Sequence, residues 1–206
     1  ESAPGAERAT VLAGLGRAGL LSLTYPDIQR GWDKTAQAFD IYDELGDSQS
    51  AVTVAVQSGD FTQFWIHGTA RVYSRALEMV DPESTEAGHL LKQYGDAVRL
   101  EEQDIAKSLD ALERSLEIAQ RTGDKQLECR ALVGLMASRV STGNFRDGIE
   151  FGNRAIEIAG ETGQATEEIA CHFAVASALV TLGDPVAGWE HTEAQRRLEQ
   201  RYGSVW

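Results

Sequence analysis

The chain has few of the residues that several common classes of protein require. It contains only two cysteines, Cys129 and Cys171, among 206 residues. Two thiols do not make the disulfide framework of a small secreted domain. Both lie in mostly apolar stretches with helical spacing, where cysteine commonly serves as a small core residue. This cysteine usage indicates a cytoplasmic setting. The apolar runs also fall well short of the about 20 residues that a membrane-spanning helix needs.

Basic residues are scarce relative to acidic ones. Lysine and arginine together number 19, aspartate and glutamate together number 32, and the formal net charge is -13. Such an acidic chain repels the phosphate backbone of DNA and RNA. It also repels an anionic membrane surface. The sequence therefore predicts no direct nucleic-acid binding and no membrane binding by this segment.

The signatures of common catalytic and metal sites are missing as well. No Gly-Lys pair occurs, which excludes a P-loop, and no Gly-x-Ser-x-Gly elbow occurs. Cys171 and His172 are adjacent in a helical stretch, so their side chains point about 100° apart and are poorly placed to chelate together. We interpret His172 as a partly exposed groove or surface residue. We predict no catalytic residue, no metal ligand and no cofactor, and therefore no enzyme.

Residues 14–19, with the sequence Gly-Leu-Gly-Arg-Ala-Gly, match the glycine spacing of a dinucleotide-binding loop. That chemistry requires a buried strand before the loop and an acidic residue about 20 positions after it. Asp33 satisfies the second condition. The thirteen preceding residues are mostly small or polar and do not form a convincing strand. We therefore predict that these glycines allow close contact between helices.

A 40-residue repeat organises the second half of the chain. Residues 122–124, Thr-Gly-Asp, return as Thr-Gly-Gln at 162–164, and residues 143–145, Gly-Asn-Phe, return as Gly-Asp-Pro at 183–185. Self-similarity at a fixed period of this size indicates stacked helical hairpins.

One period contains two helices, predicted at 124–142 and 145–160, with apolar residues at roughly helical spacing. Gly143 and Asn144 separate them, since both tolerate the left-handed backbone of a helix exit. Small residues recur in register at Ser108, Gly148 and Gly188. These positions predict close approach between neighbouring helices.

The same interpretation extends over the whole chain as one all-α domain of five repeats. The second repeat is the least regular, with helices predicted at Ser48–Gln57 and Phe61–Val80; Phe64 and Trp65 are expected in its core. Because the first residue is not Met, we expect a segment of a longer protein. The predicted repeats are approximately 6–46, 47–82, 83–122, 123–162 and 163–202.

These repeats resemble tetratricopeptide (TPR) repeats in their longer form, and more specifically the helical-repeat region of large bacterial regulators of the LuxR and cyclase-associated kind. The stretches that carry the resemblance are 86–95, 115–124, 182–184 and 198–202. The resemblance implies an all-α, right-handed α-α superhelix, a TPR-like solenoid of about five helical hairpins. In such regulators an NTPase module precedes the repeats and an output module lies elsewhere in the chain.

The resemblance also implies that the first helix of each hairpin lines a concave binding face. These positions alternate with the predicted core positions of the same helices, although simple solvent exposure explains any single one equally well. The candidate groove residues are His89, Lys92, Asp96, Arg99, Glu128, Leu135, Ser138, Arg139, Glu168, Cys171, Val175 and Leu179.

Two functions are consistent with such a groove. The first is a non-catalytic interaction and regulatory module that holds a protein or peptide partner, or a neighbouring domain of the full-length chain. The alternative is a small-molecule sensor, as the inducer-binding repeats of some regulators in this family are. Self-association into a homodimer through the ends of the solenoid is also consistent with the pattern.

Overall fold

A computed structural model describes residues 4–21, 25–58 and 66–203. All regular secondary structure in these residues is α-helical, which confirms the predicted fold class. The helices pack as sequential hairpins. In chain order they are α1 Pro4–Leu20, α2 Tyr25–Glu44, α3 Ser48–Gln57, α4 Thr69–Leu77, α5 Thr85–Glu101, α6 Ile105–Thr122, α7 Lys125–Ser141, α8 Phe145–Thr162, α9 Ala165–Thr181 and α10 Pro185–Tyr202.

The links within the repeated hairpins have the same geometry. Gly143 and Gly183 adopt φ values of 78° and 87°, in the left-handed region that favours glycine. The next amide then turns back onto the helix it has just left. Asn144 N donates to Arg139 O, and Asp184 N donates to Leu179 O, each at 3.0 Å. These bonds satisfy carbonyls that a helix end would otherwise leave unpaired.

The chain divides into two compact units, Glu1–Ser108 and Leu109–Trp206. In the first unit, α1 packs on α2, α2 on α3 and α4, and α4 on α5. Its core contains the fully buried Trp32 and Phe39 of α2. Trp32 lies against Tyr73 of α4 with ring centroids 5.5 Å apart. This aromatic pair links the first hairpin to the second.

The glycines of α1 allow it to approach α2 closely. A Cβ added at Gly19 would lie 2.7 Å from the Cα of Gly31, and one added at Gly16 would lie 3.0 Å from the Gly31 carbonyl oxygen. A Cβ added at Gly31 would lie 2.6 to 2.9 Å from backbone atoms of α1. The helix-contact interpretation is therefore confirmed for Gly16 and Gly19, which lie inside a helix. Gly14 faces open space.

In the second hairpin, one helix is shorter than predicted. We predicted a helix over Phe61–Val80, but residues 66–68 are not helical and α4 covers only Thr69–Leu77. Gly68, with φ of 84°, precedes the first turn. Phe64 and Trp65 lie outside the described residues. The predicted α3, Ser48–Gln57, is confirmed.

A carboxylate from another helix defines the start of α4. Glu101, the last residue of α5, accepts hydrogen bonds from the amides of Gly68, Thr69 and Ala70 at 2.7 to 2.9 Å. Amides at a helix N-terminus have no partner within the helix and favour a negative charge. Because this partner comes from 31 to 33 residues away, the local sequence around Gly68 does not reveal it.

Two ion pairs also join α4 to α2. Nη1 and Nη2 of Arg71 both donate to Asp40, at 2.8 and 3.1 Å. Arg75 makes the same two-point contact with Asp43, at 3.0 Å for each bond. The Arg75 guanidinium lowers the pKa of the Asp43 carboxyl. Bidentate pairs fix orientation better than single contacts do. They therefore orient the short α4 on the first hairpin.

The second unit contains the regular hairpins α7–α8 and α9–α10. Their shared core comprises Cys129, Leu132, Met136, Ala155, Ala159, Cys171 and Val175. A Cβ at Gly148 would lie 2.7 Å from Val140 Cγ2, and one at Gly188 would lie 2.9 Å from Val180 Cγ2. The close-approach positions predicted at Gly148 and Gly188 thus lie where the two helices of one hairpin meet.

None of the helices in the described part of the chain has the length and apolar character needed to span a membrane.

Candidate interaction surface on the first helices

The first helix of the third hairpin, α5, carries a charged cluster on one face. Lys92 Nζ lies 3.1 Å from Asp96 Oδ2, and Arg99 Nη2 lies 3.5 Å from Asp96 Oδ1. The spacing of three and four residues places these side chains on the same face of the helix. Lys92 and Asp96 are almost fully buried, while 16% of the Arg99 side chain is exposed. His89, at the preceding position of this face, is half-buried.

Desolvation makes this cluster expensive unless its charges remain paired. Removing one member of a buried ion pair costs roughly 3–5 kcal/mol, because the remaining charge is left without compensation. Asp96 pairs with both bases of the cluster. The partly exposed end of the cluster is Arg99, whose guanidinium belongs to the class of groups that pair with carboxylates.

On α7, two of the predicted groove residues form ion pairs and the other two are fully buried. Glu128 is buried and receives Lys125 Nζ at 2.7 Å and Gln120 Nε2 at 3.4 Å. Arg139 Nη2 lies 3.6 Å from Glu113 Oε1 of α6, and 29% of its side chain is exposed. Leu135 and Ser138 are fully buried. Of these four predicted residues, only Arg139 presents substantial surface to a partner.

On α9, two of the predicted groove residues lie in the core and two are half-buried. Cys171 and Val175 lie inside the core of the second unit, at 0 and 1% exposure. Glu168 and Leu179 are half-buried. Burial raises the pKa of the Glu168 carboxyl, and the nearby Arg201 charge opposes this effect. Arg99, Arg139 and Leu179 occupy the same repeat position, 40 residues apart.

The twelve predicted groove residues are divided between the two units. Four of them lie on α5 in the first unit, and eight lie on α7 and α9 in the second. Partly exposed side chains remain at His89, Arg99, Arg139, Glu168 and Leu179. Their role in binding stays a prediction.

One contact between two histidines was not predicted from the sequence. His172 Nδ1 of α9 lies 2.9 Å from His191 Nδ1 of α10, and the ring centroids are 5.0 Å apart. Burial, the neighbouring His191 and Arg197 lower the pKa of His172 to about 4. Burial also lowers the pKa of His191, against the charge of Glu190. Both rings are therefore neutral at pH 7. The signal in the sequence was the 19-residue spacing of the two histidines, which matches residues on the two helices of one hairpin.

Both cysteine thiols are buried, as the core interpretation predicted. Cys129 Sγ donates weakly to Ala155 O at 3.6 Å. Burial raises the pKa of Cys129 to about 12 and raises that of Cys171 as well. The thiolate is the reactive form of cysteine. Neither side chain is therefore suited to act as a nucleophile at neutral pH.

Among residues 4–21, 25–58 and 66–203, no group of three or more His, Cys, Asp and Glu side chains is placed to hold a metal ion. On the first helices, charged groups are held at fixed positions by ion pairs and by helix packing.

No protein-family model matches the chain. No curated protein matches its sequence either. Solved structures, however, share its fold. Aspartyl phosphate phosphatase F from Bacillus subtilis superposes over 98% of the chain with a TM-score of 0.76 and 14% sequence identity. The chain spans about half, 53%, of the length of that protein.

Two further structures match almost end to end. BtubC (BKLC) from P. vanneervenii has a TM-score of 0.62 and 12% identity, and the match covers 100% of this chain and 94% of that one. The kinesin-light-chain TPR-like repeats of Podosopora anserina have a TM-score of 0.65 and 12% identity, over 97% and 98% of the two chains. The chain therefore has a TPR-like helical-repeat fold. At these identities the similarity establishes the fold alone.

Proposed function

We propose that this chain is a non-catalytic protein-interaction segment of a bacterial signalling or transcription regulator of the LuxR-related kind. The observation that carries the proposal is the TPR-like fold over nearly the whole chain. Stacked hairpins offer one helix after another to an extended partner. The first helices α5, α7 and α9 would provide the binding side chains. The partner would be a protein, a peptide or a neighbouring domain of the full-length chain.

The charged cluster on α5 supports a specific mode of binding. Asp96 holds Lys92 and Arg99 in place before a partner arrives, which lowers the entropy lost on association. Arginine at the partly exposed end of such a cluster is a common energetic anchor in interfaces. A carboxylate of the partner would bind the Arg99 guanidinium. The guanidinium would then contact both this carboxylate and Asp96.

Site-specific photo-crosslinking tests this proposal and identifies the partner in the same experiment. A photoreactive residue is placed at 99, 139 or 179, which are equivalent positions on three first helices. The matched controls are positions 114, 154 and 194, which are equivalent positions on the second helices α6, α8 and α10. Each protein is expressed and irradiated in the native host, and its adducts are identified by mass spectrometry.

We expect one protein, or one flanking domain, to be captured at the first-helix positions and not at the controls. Adducts confined to the second-helix positions would contradict the proposed surface. A regulator context adds a second expectation, namely an NTPase module encoded in the same reading frame. Ligand-specific thermal stabilisation without any protein adduct would instead support a small-molecule sensor.

A further inference from the structure

The histidine pair of the last hairpin is a feature that partner binding does not explain. His172 and His191 come from different helices, and their Nδ1 atoms face each other at 2.9 Å. The rings are tilted by 53° rather than stacked. Both side chains are half-buried, so the helices hold them while solvent still reaches the pair. Two imidazole nitrogens are therefore positioned together before any ligand binds.

The neighbouring hairpin shows that the fold does not need histidine at these positions. Forty residues earlier, the equivalents of His172 and His191 are Leu132 and Phe151. Leu132 is fully buried in the core of the second unit, and Phe151 packs against that core. Apolar packing alone thus satisfies the same two positions in α7–α8. In α9–α10 both positions carry a nitrogen ligand instead.

We propose that His172 and His191 together bind a divalent transition metal ion, with Cu²⁺ and Ni²⁺ preferred. Metal–imidazole bonds are about 2.0–2.1 Å long, so nitrogens 2.9 Å apart subtend an angle of about 90° at a shared ion. That angle joins adjacent positions of the tetragonal geometry that Cu²⁺ and Ni²⁺ favour. A tetrahedral Zn²⁺ ion requires a wider angle, and the two rings would have to separate. Water would fill the remaining positions.

Two charged side chains act on the pair with opposite sign. Arg197 of α10 lies close enough to His172 to affect it electrostatically, and its positive charge opposes a bound cation. Glu190, next to His191, has the opposite effect. The local field therefore neither excludes a cation nor strongly attracts one. Arg197 also offers a test, since removing its charge should favour the metal but has little effect on a simple hydrogen bond between the rings.

Isothermal titration calorimetry of the untagged chain with CuCl₂ and with NiCl₂ tests the proposal. We expect one ion per chain. Because the second imidazole binds from a fixed position, His172→Leu or His191→Phe alone should weaken binding by roughly 10²-fold. The double variant His172→Leu/His191→Phe should bind no more tightly than either single variant. The control His67→Ala/His89→Ala, which removes the other two histidines, should leave the affinity unchanged.

The double variant is also expected to fold, because it introduces the residues found at the equivalent positions of α7–α8. Its helical circular dichroism should match that of the original chain. Arg197→Gln should tighten Cu²⁺ binding a few-fold, roughly 2- to 5-fold. Binding that survives in the double variant, or that weakens equally when His67 and His89 are removed, would overturn the proposal. Failure of the original chain to bind either ion saturably would overturn it as well.

Discussion

Hairpins α7–α8 and α9–α10 share a backbone arrangement but differ in what their surfaces contact. In both, a glycine of the second helix faces a valine of the first: Gly148 faces Val140, and Gly188 faces Val180. The two contacts are 40 residues apart, and a Cβ added at either glycine would lie at nearly the same distance from the valine Cγ2, 2.7 and 2.9 Å. Small residues at fixed positions therefore determine how closely the two helices of a hairpin approach.

The side chains around this contact diverge. Apolar residues that are half-buried and packed on the core in α7–α8 have strongly exposed equivalents in α9–α10. The pairs are Val133 and Phe173 at 53% exposure, Val140 and Val180 at 55%, and Ile149 and Trp189 at 63%. A repeat thus constrains its close-contact positions strictly, whereas its outer positions depend on what covers them.

The largest effect is expected where α9 covers α8. A Cβ at Gly152 would lie 2.5 Å from Val175 Cγ2 and 2.9 Å from Met136 Sδ, both core atoms, whereas the equivalent residue of α10 is the exposed Thr192. Gly152→Thr should therefore reduce the free energy of unfolding by about 1–3 kcal/mol through overpacking. The reciprocal Thr192→Gly should cost about 0.5 kcal/mol or less, from helix propensity. Urea denaturation measures both. Equal costs would refute the difference in covering.

A smaller difference is expected at the helix starts. Asp124 Oδ1 accepts a hydrogen bond from Leu127 N at 2.9 Å and caps α7. Asn144, before α8, instead donates its side-chain amide to Asp147 at 2.7 Å. Asp124→Ala should lower stability by about 1 kcal/mol. Asn144→Ala should cost a few tenths of that or less, as an exposed side-chain pair does. Thermal or urea unfolding of the two variants separates these values, and the reverse order would contradict the capping assignment.

Local signals in the sequence were sufficient for most of this architecture. Helix spacing, exit glycines and the 40-residue period predicted the all-α hairpins and the close contacts at Gly148 and Gly188. Contacts between distant residues were not predictable in the same way. Glu101 determines where α4 begins from more than thirty residues away, and His191 meets His172 only after a hairpin has formed.

Burial of individual positions on the first helices was also not predictable from the sequence. Helical spacing alone determined which positions were predicted to be exposed. In the structure, other helices contact α7 and α9 on several sides. Leu135 and Val175, both predicted as groove residues, are therefore almost fully buried. A helix covered by neighbours on several sides does not show the simple amphipathic pattern from which exposure can be inferred.

The histidine pair should give hairpin α9–α10 a pH dependence that the equivalent Leu132 and Phe151 do not give α7–α8. The unfolded-state pKa of His172 is about 6.5, and the folded-state value is about 4. As the pH falls from 6.5 to 4, the unfolded chain therefore binds protons that the folded chain does not, and stability decreases. In buffer containing a chelator, His172→Leu/His191→Phe should lose less stability over this window. Identical pH profiles would show that the rings are not held as described.

The affinity of the cross-linked partner for the Arg99→Ala/Arg139→Ala chain tests the central claim most directly. These arginines occupy equivalent positions on α5 and α7. The matched control is Arg114→Ala/Arg154→Ala, which removes two exposed arginines from equivalent positions on α6 and α8. Binding through the first helices predicts at least a roughly tenfold loss of affinity in the first variant, with unchanged helical circular dichroism and little loss in the control. Unchanged affinity in the first variant, or an equal loss in both, would contradict the assignment of the binding surface.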